Sequence, residues 1–129
     1  FYKLLDDSHR SAAFVPKTTD RLICDRGLVD GWYKFGNNLD MPTSCVQTYH
    51  CGTIAPIWLN GALPSINEGE AQRTACVNFG YTSITGTKCC NQQLNIKVKN
   101  CNGYYVYHLV RVAGCSVAYC AGKLKVLTL

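Results

Sequence analysis

The sequence contains no long apolar run. A helix that crosses a bilayer needs about 18 or more consecutive apolar residues, and none of the 129 positions begins such a stretch. Any membrane anchor would lie outside these residues. Blocks of like charge are also missing. The 13 Lys and Arg and 8 Asp and Glu are scattered, for a net charge of +5, which excludes a nucleic-acid-binding tail. No Asn-x-Ser/Thr acceptor occurs, so no N-glycan is expected. Gly-x-Ser-x-Gly, a phosphate-binding loop and His-Glu-x-x-His are all absent. There is no internal repeat and no low-complexity tract. The chain starts at Phe1 with no leader pattern. The expectation is a removed leader or a segment of a longer protein.

Cysteine is what the sequence has in excess: nine in 129 residues, at 24, 45, 51, 76, 89, 90, 101, 115 and 120. Zinc modules present pairs of sulfurs two to four residues apart, and redox motifs flank two residues with two cysteines. Cys45/Cys51, Cys115/Cys120 and Cys89/Cys90 fit neither pattern. The remaining reading is a disulfide framework built in an oxidising compartment, with no metal and no cofactor. Adjacent Cys89 and Cys90 lie about 3.8 Å apart at Cα, too close for a relaxed bridge. On a strand they point to opposite faces, so each is expected to reach a different segment. Spacing alone leaves on the order of a hundred pairings open. One cysteine is left over: free, bridged to another chain, or parted from its partner.

Strand signals dominate the pattern. Gly31–Phe35 is short and aromatic, and Gly36-Asn37-Asn38 ends it. Ile57-Trp58-Leu59 stops at Asn60-Gly61, a strong turn signal. Leu94, Ile96 and Val98 alternate with Asn95, Lys97 and Lys99, which gives one dry and one wet face. Asn100 to Gly103 turns the chain into Tyr104–Val110, predicting a hairpin. Lys123-Leu124-Lys125-Val126 reads as a late strand. Ser65 and Glu68 match a capping box, yet Gly69 interrupts any helix at once. Residues 70–79 lean to strand through Thr74, Cys76 and Val77. Residues 1–23 carry no cysteine and read as an extended lead-in or loosely held arm to a cysteine-rich body at 24–129. The expected fold is mainly β: one small, disulfide-rich, antiparallel, sandwich-like domain with at most a short helix.

The ordered motifs support a family reading. Leu5-Asp6-Asp7, Arg10-Ser11, Cys24 and Gly31-Trp32-Tyr33-Lys34-Phe35 come first. Ala55-Pro56-Ile57-Trp58-Leu59-Asn60-Gly61, Ala75-Cys76, Cys89-Cys90 and Cys101 follow. Gly103 to Leu109, Cys115 and Ala118-Tyr119-Cys120 complete the set. In this order the chain resembles the eight-to-ten-cysteine extracellular module of uromodulin and the pancreatic secretory granule membrane glycoprotein. The resemblance implies a non-catalytic module, set beside a zona pellucida polymerisation module or growth-factor-like repeats. It implies pairing of Cys24 with Cys115, Cys45 with Cys89, Cys51 with Cys120 and Cys76 with Cys90. It further implies that Cys101 is unpaired here, or paired outside this chain with a cysteine just upstream of the Leu-Asp-Asp motif. Several members present glycans to bacterial adhesins from an Asn-Gly-Thr acceptor. Here the site reads Asn60-Gly61-Ala62, so that role does not transfer.

The other polar groups have ordinary readings. His9, His50 and His108 are packing or surface residues. The pairs Asp6/Asp7 and Glu68/Glu70 are solvated or salt-bridged, not poised for acid–base work. Calcium would need an oxygen-rich loop that is absent. The candidate ligand surface is Lys97, Lys99, Lys123 and Lys125, if those strands are neighbours, with Tyr105 and Tyr107 as a sugar-stacking face. The expected function is a non-enzymatic adhesion, matrix or filament-associated module of a secreted glycoprotein. The alternative is a free-standing protein that recognises glycans or acidic partners. Expected partners are extracellular proteins, glycans, neighbouring domains of the same precursor and further copies of the chain. Neither nucleic acid nor a membrane span is expected.

Overall fold

The computed structural model describes residues 1–82, 84, 86 and 88–122. Seven strands form one sheet: β1 (Lys3–Leu5), β2 (Gly31–Phe35), β3 (Ala55–Asn60), β4 (Glu70–Val77), β5 (Gln92–Asn100), β6 (Tyr105–Leu109) and β7 (Val117–Tyr119). Their order is β1-β2-β6-β5-β4-β3-β7. The centre is antiparallel. Both edges are parallel, β1 along β2 and β7 along β3. The only helices among the described residues are single 3-10 turns. One turn, Ile66–Glu68, follows the Ser65/Glu68 box, where the Ser65 N–H donates to Glu68 Oε1 at 3.3 Å.

The alternation in β5 does what period-two patterning dictates. Ile96 and Val98 are buried, whereas Asn95 and Lys97 are exposed. The turn into β6 places Asn102 and Gly103 at positive φ, and the Asn102 N–H donates to Asn100 Oδ1 at 2.9 Å. Residues 70–77 form a strand because their apolar set is complementary to β5, with Ala71 opposite Val98 and Ala75 opposite Leu94.

The core lies on one face of this sheet. Tyr33, Phe35, Ile57, Leu59, Val77, Ile96, Val98, Tyr107 and Leu109 form its centre. No second sheet covers it, so the structure departs from a sandwich in this respect. Loop residues close the core instead, among them Leu28, Leu39, Met41, Leu63 and Val112. Loops can serve as the lid because disulfides hold them. Cys45–Cys89 and Cys51–Cys120 fasten the 40–54 segment, Cys24–Cys115 joins the segments that flank it, and Cys76–Cys90 ties β4 to the start of β5. These bridges are also the centre of a second cluster, in which Cys51, Cys76 and Cys120 pack with Trp58, Val46 and Ala12.

Ala12 is fully buried and Arg10 is 6% exposed, so the 1–23 segment is built into the domain and is not loosely held. Ala12 N–H donates to the Ala121 carbonyl, and Ala121 N–H to the Arg10 carbonyl. Where this segment crosses the 50s, position 52 is glycine. A Cβ there would sit 2.6 Å from the His9 carbonyl oxygen, and φ is +70°. The expected late strand at Lys123–Val126 lies outside the described residues.

Candidate functional site

Four antiparallel strands leave the opposite face of the sheet open in its middle. The register aligns side chains across it in rows. Trp32 faces His108, His108 faces Lys97, and Lys97 faces Gln72. In the next row Asn60 faces Thr74, and Thr74 faces Asn95. One row further, Trp58 and Cys76 enter the disulfide cluster, and that end of the face is covered. Beyond the opposite end, Glu70, Lys99 and Val106 align. Side chains of one row and the next project on the same side because successive rows are two residues apart.

The two middle rows line a groove of about 620 Å³. Asn60, Gln72, Thr74, Asn95, Lys97 and His108 supply its inward polar groups, Arg73 borders it, and no carboxylate lines it among the described residues. Asn60, Gln72, Asn95 and Lys97 are exposed. Among the described residues no side-chain hydrogen bond engages Asn60, Gln72, Thr74 or Asn95. The Lys97 ammonium lies 3.9 Å from Glu70 Oε1, with both side chains about half exposed. A pair of that kind is screened and holds neither partner firmly. His108 meets the Trp32 ring edge-on, with centroids 5.3 Å apart, and Phe1 also packs on Trp32, at 6.3 Å.

The rim of the groove is stiff. Arg73 Nε donates to the Ala62 carbonyl at 2.7 Å, and its Nη2 meets Glu68 Oε2 at 3.0 Å. That arginine contact, and then the Ser65 N–H, hold the Glu68 carboxyl below its ordinary value. The 61–68 loop is thereby pinned beside Asn60.

Not every expected ligand residue lies on this face. Tyr107 is a correction: it is fully buried on the core side, because strand alternation puts it with Val98 and Tyr33. Its hydroxyl accepts from the Met41 N–H at 3.0 Å and packs on Asp40, and burial pushes the phenol well above its ordinary value. Tyr105 shares that side, half-buried against the core. Lys97 and Lys99 do lie on the open face, two residues apart. Lys123 and Lys125 fall outside the described residues.

The groove residues other than Lys97 escaped attention in the sequence for identifiable reasons. Asn60 reads as a turn residue, and Gln72 and Thr74 sit in a stretch with helix and strand signals mixed. Asn95 was visible only as the wet half of an alternation. A second missed feature is a buried ion pair. Arg10 makes two bonds to Asp25, Nη1 to Oδ2 at 2.8 Å and Nη2 to Oδ1 at 2.7 Å.

Cys101 stands outside the four bridges, half-buried in the β5–β6 turn. It neighbours the Tyr104 hydroxyl, and Tyr2 reaches the same tyrosine, ring to ring at 5.9 Å. Alkylation of the unfolded, unreduced 129-residue chain is expected to tag one thiol, at Cys101, and nine after reduction. Mass spectrometry reads the count. Nine tags before reduction would overturn the disulfide framework.

Comparison with known proteins now decides the family. The family model for the uromodulin-like, eight-cysteine domain matches residues 33–121. The chain belongs to the uromodulin-like domain family. It is 41% identical to mouse uromodulin over 106 residues, 80% of this chain and 15% of that protein. It is 38% identical over 122 residues to the dog pancreatic secretory granule membrane major glycoprotein GP2, 92% of this chain and 22% of that protein. The human GP2 glycoprotein is 34% identical over 122 residues. This uromodulin-like chain thus spans less than a quarter of the length of these curated relatives.

Proposed function

We propose that this uromodulin-like domain is a non-catalytic recognition module of a larger secreted glycoprotein, with adhesion, matrix or filament association as its role and the open sheet face as its contact surface. The observation that carries this reading is the double row of polar side chains without protein partners, held on a sheet that disulfides keep rigid. Polar groups left unpaired on a rigid scaffold are prepared to bond a partner at little ordering cost. An enzyme would need a nucleophile and a base within hydrogen-bond reach. His108, the titratable base in the groove, is paired instead with an indole. The relatives are several times longer than this chain, which favours a module among neighbours over a free-standing protein. On the same reading, Cys101 takes its disulfide partner from outside these residues.

The test is a panel of extracellular glycans and matrix proteins, probed with the intact domain and with Asn95→Trp, which fills the groove. At least one component should be retained by the parent and lose about tenfold or more of its binding to the variant. A folded variant is verified by its unfolding midpoint. Retention indifferent to Asn95→Trp, or no retention at all, would exclude the open face as the contact surface.

A further inference from the structure

The groove on the open face has a definite chemical preference. Three of its six inward polar groups are carboxamides, from Asn60, Gln72 and Asn95, and a fourth is the Thr74 hydroxyl. Each amide offers a donor and an acceptor side by side. That combination matches the vicinal hydroxyls of a sugar ring, where every oxygen both gives and takes a hydrogen bond. A protein partner would call for an apolar centre, and this groove has little of one. Its residues come from three adjacent strands plus His108 on the fourth, so the polar groups are spread over a shallow trough and not gathered in a closed pocket. An extended oligosaccharide suits such a trough.

Charge narrows the class further. Lys97 lies in the groove with no acidic residue among the lining groups, and Lys99 stands one row away. Lys34 projects from β2 on the same side as Trp32. Glu70 is the acidic residue of these rows, and its contact with Lys97 is long and exposed. An anionic group would replace it without a desolvation penalty of the size that a buried pair carries. The groove is also open. Asn60 lines it, and Asn60-Gly61-Ala62 is not a glycosylation acceptor, so no N-glycan of the chain's own occupies the site.

We infer that this groove binds an acidic oligosaccharide, its carboxylate on the Lys97 ammonium and its ring hydroxyls on the side chains of Asn60, Gln72, Thr74 and Asn95. The inference rests on the recognition reading above, and names the ligand class for the same face.

The experiment is an amide NMR titration of the intact domain with sialyllactose, and with lactose as its uncharged parent. Side-chain NH₂ signals of Asn60, Gln72 and Asn95 report directly on the groove. Sialyllactose should shift all three, and Gln72→Ala or Asn95→Ala should weaken it about tenfold, the size of one lost net hydrogen bond. Lys97→Gln should reduce the affinity for sialyllactose to that for lactose. These side chains are exposed, and the amide spectrum of each variant shows whether it is folded. The inference fails if neither sugar moves these signals at about 10 mM, a range that registers binding of only a few kcal/mol. It also fails if Lys97→Gln leaves the preference for sialyllactose intact. A protein on the panel that binds this face while both sugars do not would keep the recognition reading and sink the carbohydrate one.

Discussion

Asp25→Ala is expected to destabilise the domain by about 3–5 kcal/mol, because it strands the Arg10 guanidinium in the interior. Arg10 is 6% and Asp25 3% exposed. The pair does more than join two residues. Asp25 Oδ2 also accepts the Tyr119 N–H at 2.8 Å, and Arg10 Nη1 donates to the Tyr119 carbonyl at 3.1 Å. One polar knot therefore ties the N-terminal segment, the 25–27 turn and the β7 edge. Arg10 Nε has no protein partner among the described residues, so the guanidinium is already incompletely satisfied and has no alternative once the carboxylate is gone. Denaturant unfolding of the unreduced protein measures the loss. Arg10→Met with Asp25→Leu should recover most of it, since an apolar pair of similar volume carries no desolvation penalty. A loss below about 1 kcal/mol for Asp25→Ala, the size expected of an exposed pair, would show that water reaches the site.

Removing the Cys24–Cys115 bridge as Cys24→Ala with Cys115→Ala should cost about 4–5 kcal/mol. The bridge closes 91 residues of sequence, and the entropy that it removes from the unfolded chain grows with the logarithm of that length. Cys115 is exposed and Cys24 half-buried, so cavity formation adds little. Typical domains have net stabilities of about 5–15 kcal/mol, and this bridge alone is a large share of that. The effect should appear as a lower denaturant midpoint with Cys45–Cys89, Cys51–Cys120 and Cys76–Cys90 still formed. A cost under about 1 kcal/mol would mean that the other three bridges already restrict the unfolded chain across the same span. Because Asp25 follows Cys24 in sequence, the two perturbations share a neighbourhood and should not be additive.

Most strands were legible because their evidence is local. Leu94 to Lys99 alternates, Asn60-Gly61 and Asn102-Gly103 turn, and aromatic β2 is bounded by Gly36. Each of these is a property of a few consecutive residues. The parallel edges were not legible. β1 joins β2 across the whole 6–30 segment, and β7 joins β3 from the far end of the chain. No short pattern records such partners. The loop-closed core was hidden for a related reason: loops need no periodicity to bury Leu28 or Met41, provided that crosslinks hold them in place. Tyr107 was misplaced because β6 has apolar or aromatic residues on both sides, and only the sheet around it decides which side is inside.

The sequence by itself determined the secondary structure of the central sheet and, through its cysteine count, that covalent ties supplement the core. Those facts follow from side-chain period and sulfur chemistry, which act residue by residue. Tertiary structure alone decided that Arg10 meets Asp25, that Tyr107 lies inside, and that Asn60, Thr74 and Asn95 share a row with Gln72 and Lys97 beside it. These side chains come from strands brought together by register, and register is set by the sum of contacts over the whole sheet, not by any stretch of the chain.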